Sequence, residues 1–514
     1  MTDEITRKES PTTESKHATS SALETDRRTL LKGAAAAGGL IAGFTGPVYL
    51  RDFNYTQSVR AQTSEPVKIG FIEDESGNLA VYGIQKLHAA QLAIKEINEG
   101  KTLKGAPNIG AGFHASSGEI ANTPPVISKE GSNLDIVGDP GERHQSELLY
   151  EEVSDILVDS NDRGILGREV RLVSADGQSN NTVWQQLARR MIQQDKVDVL
   201  VAGFASAERE AIRPIVDQAK QLYFYTNQYE GGVADANTFC TGPVCEQQVI
   251  PTVQYMVEKF GPRCYTIAAD YNFGQLTAAW TKAFIPLVGG EIVGEEFIPL
   301  SVSEFSQVIQ RIQAAKPDWV MTLLVGSNHH NYYPQAAAAG LRLPMASTVN
   351  MAQGYEHKRF PAPSLANMHN AIQYQMEVPT ARNRAFVKRW MEMFPEDQYI
   401  GEMAQNTYFT IHLYAKAARL AGTTDQETVK KALELGWNIE APEGSVFLEP
   451  GTHHCAHPIR LAVCDENHDV SFVRDWPVVQ AWWLQRLGVN LIRHPEYKQY
   501  TPAEDPYFNM FVKT

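Results

Sequence analysis

Cysteine is scarce, with five in 514 residues and none before Cys240. So few thiols cannot staple a disulfide scaffold. Cys455 and Cys464 flank what reads as one extended strand. At about 3.3 Å per residue they stand roughly 30 Å apart, far beyond disulfide reach. Only Cys240 and Cys245, around Gly242-Pro243, are near enough for a bridge to be open. A net basic balance is also missing: the formal charge is −14, and without the first 61 residues it is −15. An acidic chain with no basic patch argues against nucleic acid and against anionic membrane surfaces.

Long apolar runs are missing too. The amino-terminal one, GAAAAGGLIAGF, spans about a dozen residues after Lys32, short of the roughly twenty a bilayer crossing needs. It follows Asp26-Arg27-Arg28-Thr29-Leu30-Leu31-Lys32. Paired arginines before a short Gly/Ala-rich stretch look like a twin-arginine export signal. Val59-Arg60-Ala61 fits a small-residue cleavage site. With no cysteine ahead of Cys240, a free exported product without a lipid anchor is expected. Zinc-type Cys/His spacing is likewise absent, so no metal is expected. His329-His330, and His453-His454 with His457, are read as surface or cleft-rim residues.

What is present is alternation of strand and helix, clearest over residues 198–232. Residues 198–202 form a glycine-bounded apolar run, the mark of a buried strand. Phe204-Ala205-Ser206-Ala207 makes a small-residue turn. Ile212, Ile215, Val216 and Ala219 then recur at helical spacing. Residues 222–225 are a second strand, ending in Thr226-Asn227-Gln228-Tyr229. In such a βαβ unit, ligands sit outside the carboxyl ends of the strands. Both ends carry hydroxyls, amides and rings, which suits a small uncharged hydrogen-bonding ligand. Ser206 is placed to cap the helix and offer free N–H groups. Pro214 would then fall inside it, so the helix either bends or starts later.

The same rhythm extends along the chain. Strands are expected at 67–72, 167–174, 265–269, 290–299, 319–324, 345–349 and 371–378. The intervening helices include one ending near Asn98, 181–195, 247–259, 304–315, 402–421 and 427–435. Residues 459–463 and 470–473 form a hairpin. Residues 101–163 interrupt the pattern as a Gly/Pro-rich insertion with one short helix near 146–157; a lid, a partner surface and no role all remain open. The result is an α/β fold with parallel sheets in two lobes.

The segments VKIGFIEDESGNLAVYG, GILGREVRLV, GFASAEREAIRP, YFYTNQYEGG, ADYNFGQ and GGEIVGEEFIPL resemble the type I periplasmic binding proteins. Among these the chain is most similar to the urea and short-chain amide branch of the branched-chain amino acid binding family. The resemblance implies two lobes, each a parallel sheet flanked by helices, joined by three crossover hinge segments. It implies a disordered start and signal at 1–61, a first lobe of 66–243 and 373–430, a second of 244–372 and 431–475, and an irregular tail at 476–514. It further implies a periplasmic receptor without catalysis or cofactor that hands a small molecule to the membrane subunits of an ABC permease. Carried over by position, the ligand contacts are Phe204, Ser206, Ala207, Tyr225 and Asn227 from one lobe and Tyr271, Phe273 and Asn350 from the other. The chain departs from the amide receptors at Phe204 and Phe273, where they carry tyrosine, and at Asn227. An amino acid is the alternative ligand, with Glu73, Glu230 or Asp270 answering its ammonium group. Ser206 is not set in a G-x-S-x-G elbow, so a hydrolase is not expected.

Overall fold

The computed structural model describes residues 65–108 and 156–505. The export signal, the helix expected near 146–157 and most of the insertion lie outside these residues, apart from the start of a strand at Leu157. Strand β1 (Val67–Glu73) is almost wholly buried, as a run of Val, Ile and Phe demands. It leads into α1 (Ala80–Asn98), which buries Ala89, Ala90, Leu92, Ala93 and Ile97. The described ends of the insertion are β2 (Lys101–Leu103), β3 (Gly105–Pro107) and β4 (Leu157–Asp159). β2 and β4 pair antiparallel, so the insertion leaves and re-enters through a two-stranded neck.

Next come β5 (Val170–Asp176) and α2 (Asn181–Arg190), whose first turn is closed by the Asn180 side chain accepting from Thr182 N at 3.0 Å. β6 (Val199–Ala202), α3 (Ser206–Ala219), β7 (Tyr223–Tyr225) and β8 (Thr238–Cys240) complete the first half. The open question over α3 is settled: it starts at Ser206 and runs on through Pro214. These strands form one parallel sheet in the order β5-β1-β6-β7-β8.

The second half runs α4 (Cys245–Phe260), β9 (Arg263–Ala269), α5 (Asn272–Phe284), β10 (Glu291–Ile298), α6 (Ser306–Ala315) and β11 (Trp319–Leu323). It continues through α7 (Ser327–Ala338), β12 (Met345–Ser347), α8 (Glu356–Arg359) and β13 (Met368–Ile372). The chain then returns to the first body with α9 (Ala381–Met393), α10 (Glu402–Ala421) and α11 (Gln426–Leu433), α10 lying along α1 in a shared core. β14 (Trp437–Ala441), β15 (Gly444–Leu448), β16 (Cys455–Cys464), β17 (Val470–Val479) and α12 (Trp483–Arg486) close the described fold. The larger sheet runs β10-β9-β11-β12-β13-β16-β15-β14-β3, with β17 on β16. Trp437, Ile439, Val446 and Leu448 nevertheless bury their side chains in the first core.

Several expectations need correction. The strand near 371–378 lies at Met368–Ile372, and the residues after it form a crossover. α9 is polar in sequence because it buries little beyond Arg382, Asn383, Phe386 and Trp390. The tail is not irregular from Trp476. β17 continues to Val479 past Pro477, because the register with β16 shifts between His457 and Ile459 and absorbs the missing donor. All five cysteines are buried free thiols, so Cys240 and Cys245 are unpaired. No described helix is long and apolar enough to cross a membrane.

Candidate functional site

β6 is followed by Gly203, whose φ of +91° turns the chain sharply. The expectation that Ser206 caps α3 is wrong by one residue, since Ala205 is the N-cap. Glu208, in the first turn, accepts from the backbone N–H of Phe204 at 2.9 Å and of Ala205 at 2.8 Å. Burial, with Asp74 nearby, holds its carboxyl well above the usual range. Ser206 instead donates through Oγ to Glu230 Oε2 at 2.5 Å. The other Glu230 oxygen accepts from Arg209 Nη2 at 2.7 Å. That guanidinium has no exposed side-chain surface and lies 4.4 Å from the Tyr229 ring centroid and 4.9 Å from that of Tyr225. A charge this deep needs both a counter-charge and π faces to be tolerated.

At the end of β7, the Tyr225 hydroxyl and Asn227 Nδ2 both donate to the Phe204 carbonyl, at 2.5 and 2.7 Å. Gln353, beyond β12, donates through Nε2 to Asn227 Oδ1 at 3.0 Å and to Glu402 Oε1 at 2.5 Å. Burial pushes the Glu402 carboxyl up to about 7, against the hydrogen bonds from Gln373 and Gln353 that favour its charge. The Phe204 ring stacks on Tyr82, with centroids 4.0 Å apart and planes 3° from parallel. The Tyr82 hydroxyl in turn accepts from Gly326 N at 3.2 Å, just beyond β11.

These groups enclose a cavity of about 200 Å³, counting the space open to solvent. Its walls are Phe204, Ser206, Tyr225, Asn227 and Gln228 from the first sheet, faced by Tyr271, Phe273, Val325, Val349 and Gln353 from the second. Each lies at or just past the carboxyl end of a parallel strand. Burial, with Tyr225 and Glu230 close by, pushes the Tyr271 hydroxyl well above the usual tyrosine range.

Of the eight residues expected to contact ligand, Phe204, Ser206, Tyr225, Asn227, Tyr271 and Phe273 share this cavity. Ala207 and Asn350 do not line it. Asn350 is fully buried, and its Oδ1 accepts from Met351 N at 2.8 Å. Gln228, Val325, Val349 and Gln353 were missed, although the strand-end rule applied to every strand would have flagged them.

No ionised side chain lines the cavity among the described residues. The three carboxylates considered for an ammonium group are engaged elsewhere: Glu73 with Lys86, Glu230 with Arg209, and exposed Asp270 with Gln275. The histidines are another correction. His329, His453, His454 and His457 are buried rather than on a surface or rim. His329 meets Glu356 at 2.9 Å, His454 meets the Tyr229 hydroxyl at 2.5 Å, His457 meets Glu443 at 3.1 Å, and His453 stacks on Phe239. No described cluster of three or more His, Cys, Asp or Glu side chains is arranged to hold a metal.

Two bodies whose parallel strands point their carboxyl ends at one cavity define the type I periplasmic binding protein fold. The chain belongs to the periplasmic binding protein family, which matches residues 66–469. It is similar to the Leu/Ile/Val-binding protein homolog 6 of Brucella abortus (strain 2308), 21% identical over 296 residues, covering 56% of this chain and 75% of that one. A solute-binding protein of an ABC transporter from Rhodopseudomonas palustris BisB5, solved with 3,4-dihydroxybenzoic acid, has the same fold. Its TM-score is 0.62 at 20% identity, covering 81% of this chain and 98% of that one. So does LivJ of Streptococcus pneumoniae, solved with isoleucine: TM-score 0.61 at 17% identity, covering 80% and 100%.

Proposed function

We propose that the chain is the solute receptor of an ABC importer and that it captures a small neutral amide, such as urea or a short-chain amide. The observation that carries this is a small cavity walled by rings, hydroxyls and amides with no ionised side chain among its lining residues. A neutral amide needs acceptors for its N–H groups and a donor for its carbonyl, and rings to exclude water. An α-amino acid needs a free carboxylate beside its ammonium group, and Glu230, which accepts from the lining Ser206, is already joined to Arg209.

The fold's ligand-bound relatives favour a second reading. One was solved with isoleucine and another with a hydroxylated benzoic acid, and both ligands carry a carboxyl group. The start of α3 supports this reading, because a helix amino terminus favours an anion. The commitments of Glu230 to Arg209 and Ser206 weigh against it.

Export to the periplasm fits this role, with Arg27-Arg28 as the recognition pair. Changing both to lysine is expected to strand precursor in the cytoplasm. The transport assignment is tested by uptake. Cells lacking the gene should lose import of labelled urea or acetamide at micromolar concentration and keep leucine import. Loss of leucine import with amide import intact would transfer the assignment to amino acids.

A further inference from the structure

Residues 480–505 follow β17, past Asp469 where the family match ends, and they touch both bodies. Trp482, Trp483, Leu484, Val489 and Leu491 are buried in the core of the second sheet. Trp483 meets the Trp280 ring of α5 edge-on, with centroids 5.0 Å apart. Its backbone N–H donates to Glu246 of α4 at 3.2 Å. The far end of the segment returns to the same place, where Asp505 accepts from Trp483 Nε1 at 2.8 Å and from Arg486. The segment is therefore an arch with both feet on the second body.

Its crown rests on the first body. Residues 498–500 run antiparallel to residues 232–234, in the connection between β7 and β8. The Tyr500 N–H donates to the Gly232 carbonyl at 2.8 Å, and the Ala234 N–H to the Lys498 carbonyl at 3.1 Å. The approach is so close that a Cβ on Gly232 would lie 2.0 Å from the Tyr500 carbonyl oxygen. Arg213 of α3, itself buried, rivets the same stretch. It donates through Nη2 to the Lys498 carbonyl at 2.5 Å and through Nη1 to Gln499 Oε1 at 2.7 Å. Glu210 and Asp235 of its own body answer its charge.

Two bodies joined by crossover segments swing by default unless a large apolar contact holds them. We infer that residues 480–505 are a strap, tying α3 and the β7–β8 connection to the second body and limiting how far the two bodies part. Any rotation that separates α3 from α5 must break the crown's bonds or draw Trp483 out of its core. The ligand-free protein therefore rests with its bodies close together. A receptor held near its closed state spends less binding free energy on closing around a solute.

The test uses ligand-free protein, so its outcome is independent of which solute the cavity takes. Spin labels at Glu75→Cys in the first body and Ser301→Cys in the second, both exposed, report the separation of the bodies. The five native cysteines are buried and stay unlabelled. Hydrogen exchange at the Ala234 and Tyr500 amides reports whether the crown is docked. Arg213→Met keeps the apolar stem and removes the rivet. It should speed exchange at both amides by about tenfold or more, as local opening becomes easier, and lengthen the inter-label distance by several ångströms. A second variant keeps Arg213 and carries a protease recognition sequence after His494, in the exposed turn 493–496. It is cut once the chain has folded, so it decides even where Arg213→Met does not fold. Cutting should lengthen the inter-label distance in the same way. Distances unchanged by cutting overturn the inference and leave residues 480–505 a cover alone.

Discussion

Gln353 Nε2 stands 3.0 Å from Asn227 Oδ1 and 2.5 Å from Glu402 Oε1, so one buried amide from the second sheet's strand ends ties two residues packed with the first. Removing it takes a side-chain donor from Glu402 Oε1 and from Asn227 Oδ1. Gln353→Ala is expected to lower unfolding free energy by about 1–3 kcal/mol, the cost of unsatisfied buried polar groups. It should also weaken ligand binding. Urea-free guanidinium denaturation checks the first and calorimetry the second.

The Arg209–Glu230 pair makes a sharper case, because both side chains are essentially without solvent contact. Arg209→Leu leaves Glu230 as an unanswered buried charge and should cost about 3–5 kcal/mol. Adding Glu230→Leu should recover most of that loss while still abolishing ligand binding, since Ser206 then loses its partner. A double-mutant cycle of denaturation midpoints reads this directly. Additive losses would show that the pair is not energetically coupled.

Gly274 supplies a steric test of how Phe273 is held. A Cβ there would lie 2.0 Å from the Ala269 carbonyl oxygen, where α5 crosses the end of β9. Gly274→Ala must push α5 away from the strand, and Phe273 moves with it. A loss of roughly 1–3 kcal/mol, typical of overpacking, should accompany weaker ligand binding. Unchanged affinity would remove Phe273 from the site.

Glu402 gives the pH dependence a sign. Its folded carboxyl titrates near 7 because burial disfavours its charge, whereas a free glutamic acid titrates near about 4.3. The folded state therefore holds this proton more tightly. Its contribution is fully present below the unfolded value and is lost as pH rises through about 7. Glu73 and Glu246, both also near 7 through burial, act in the same direction. His454, held down to about 4 by burial, opposes them under acidic conditions. Comparing Glu402→Gln with the parent isolates one group. The variant's melting temperature relative to the parent should rise steadily between pH 5 and pH 8, and a flat difference would mean that Glu402 is already charged throughout.

Much of this site was legible in the sequence. The run 198–232 carries its own strand, helix and strand, whose chemistry marked the two strand ends, and the family resemblance then picked out Phe204, Ser206, Tyr225 and Asn227. Gln353 lies past a strand end that the rule would have flagged, but its role depends on Asn227 and Glu402, which lie far off in the chain. The buried histidines misled for the same reason. His454 and His457 are polar in sequence and become core residues only through Tyr229 and Glu443. Asn350 was chosen at a correct strand end, three residues too early. α3 starts at Ser206 and carries Pro214 inside it, a choice local rules left open, and α9 was overlooked because its buried face is narrow.

The central claim is that this site takes an uncharged solute, and the heat of binding at neutral pH tests it most directly. Urea and isoleucine should be titrated into the same preparation. The account predicts a saturable urea isotherm that Tyr225→Phe and Tyr271→Ala each weaken, because the first removes a hydroxyl from the cavity lining and the second removes an aromatic wall. It predicts no heat from isoleucine. A saturable isoleucine isotherm with none for urea would contradict it.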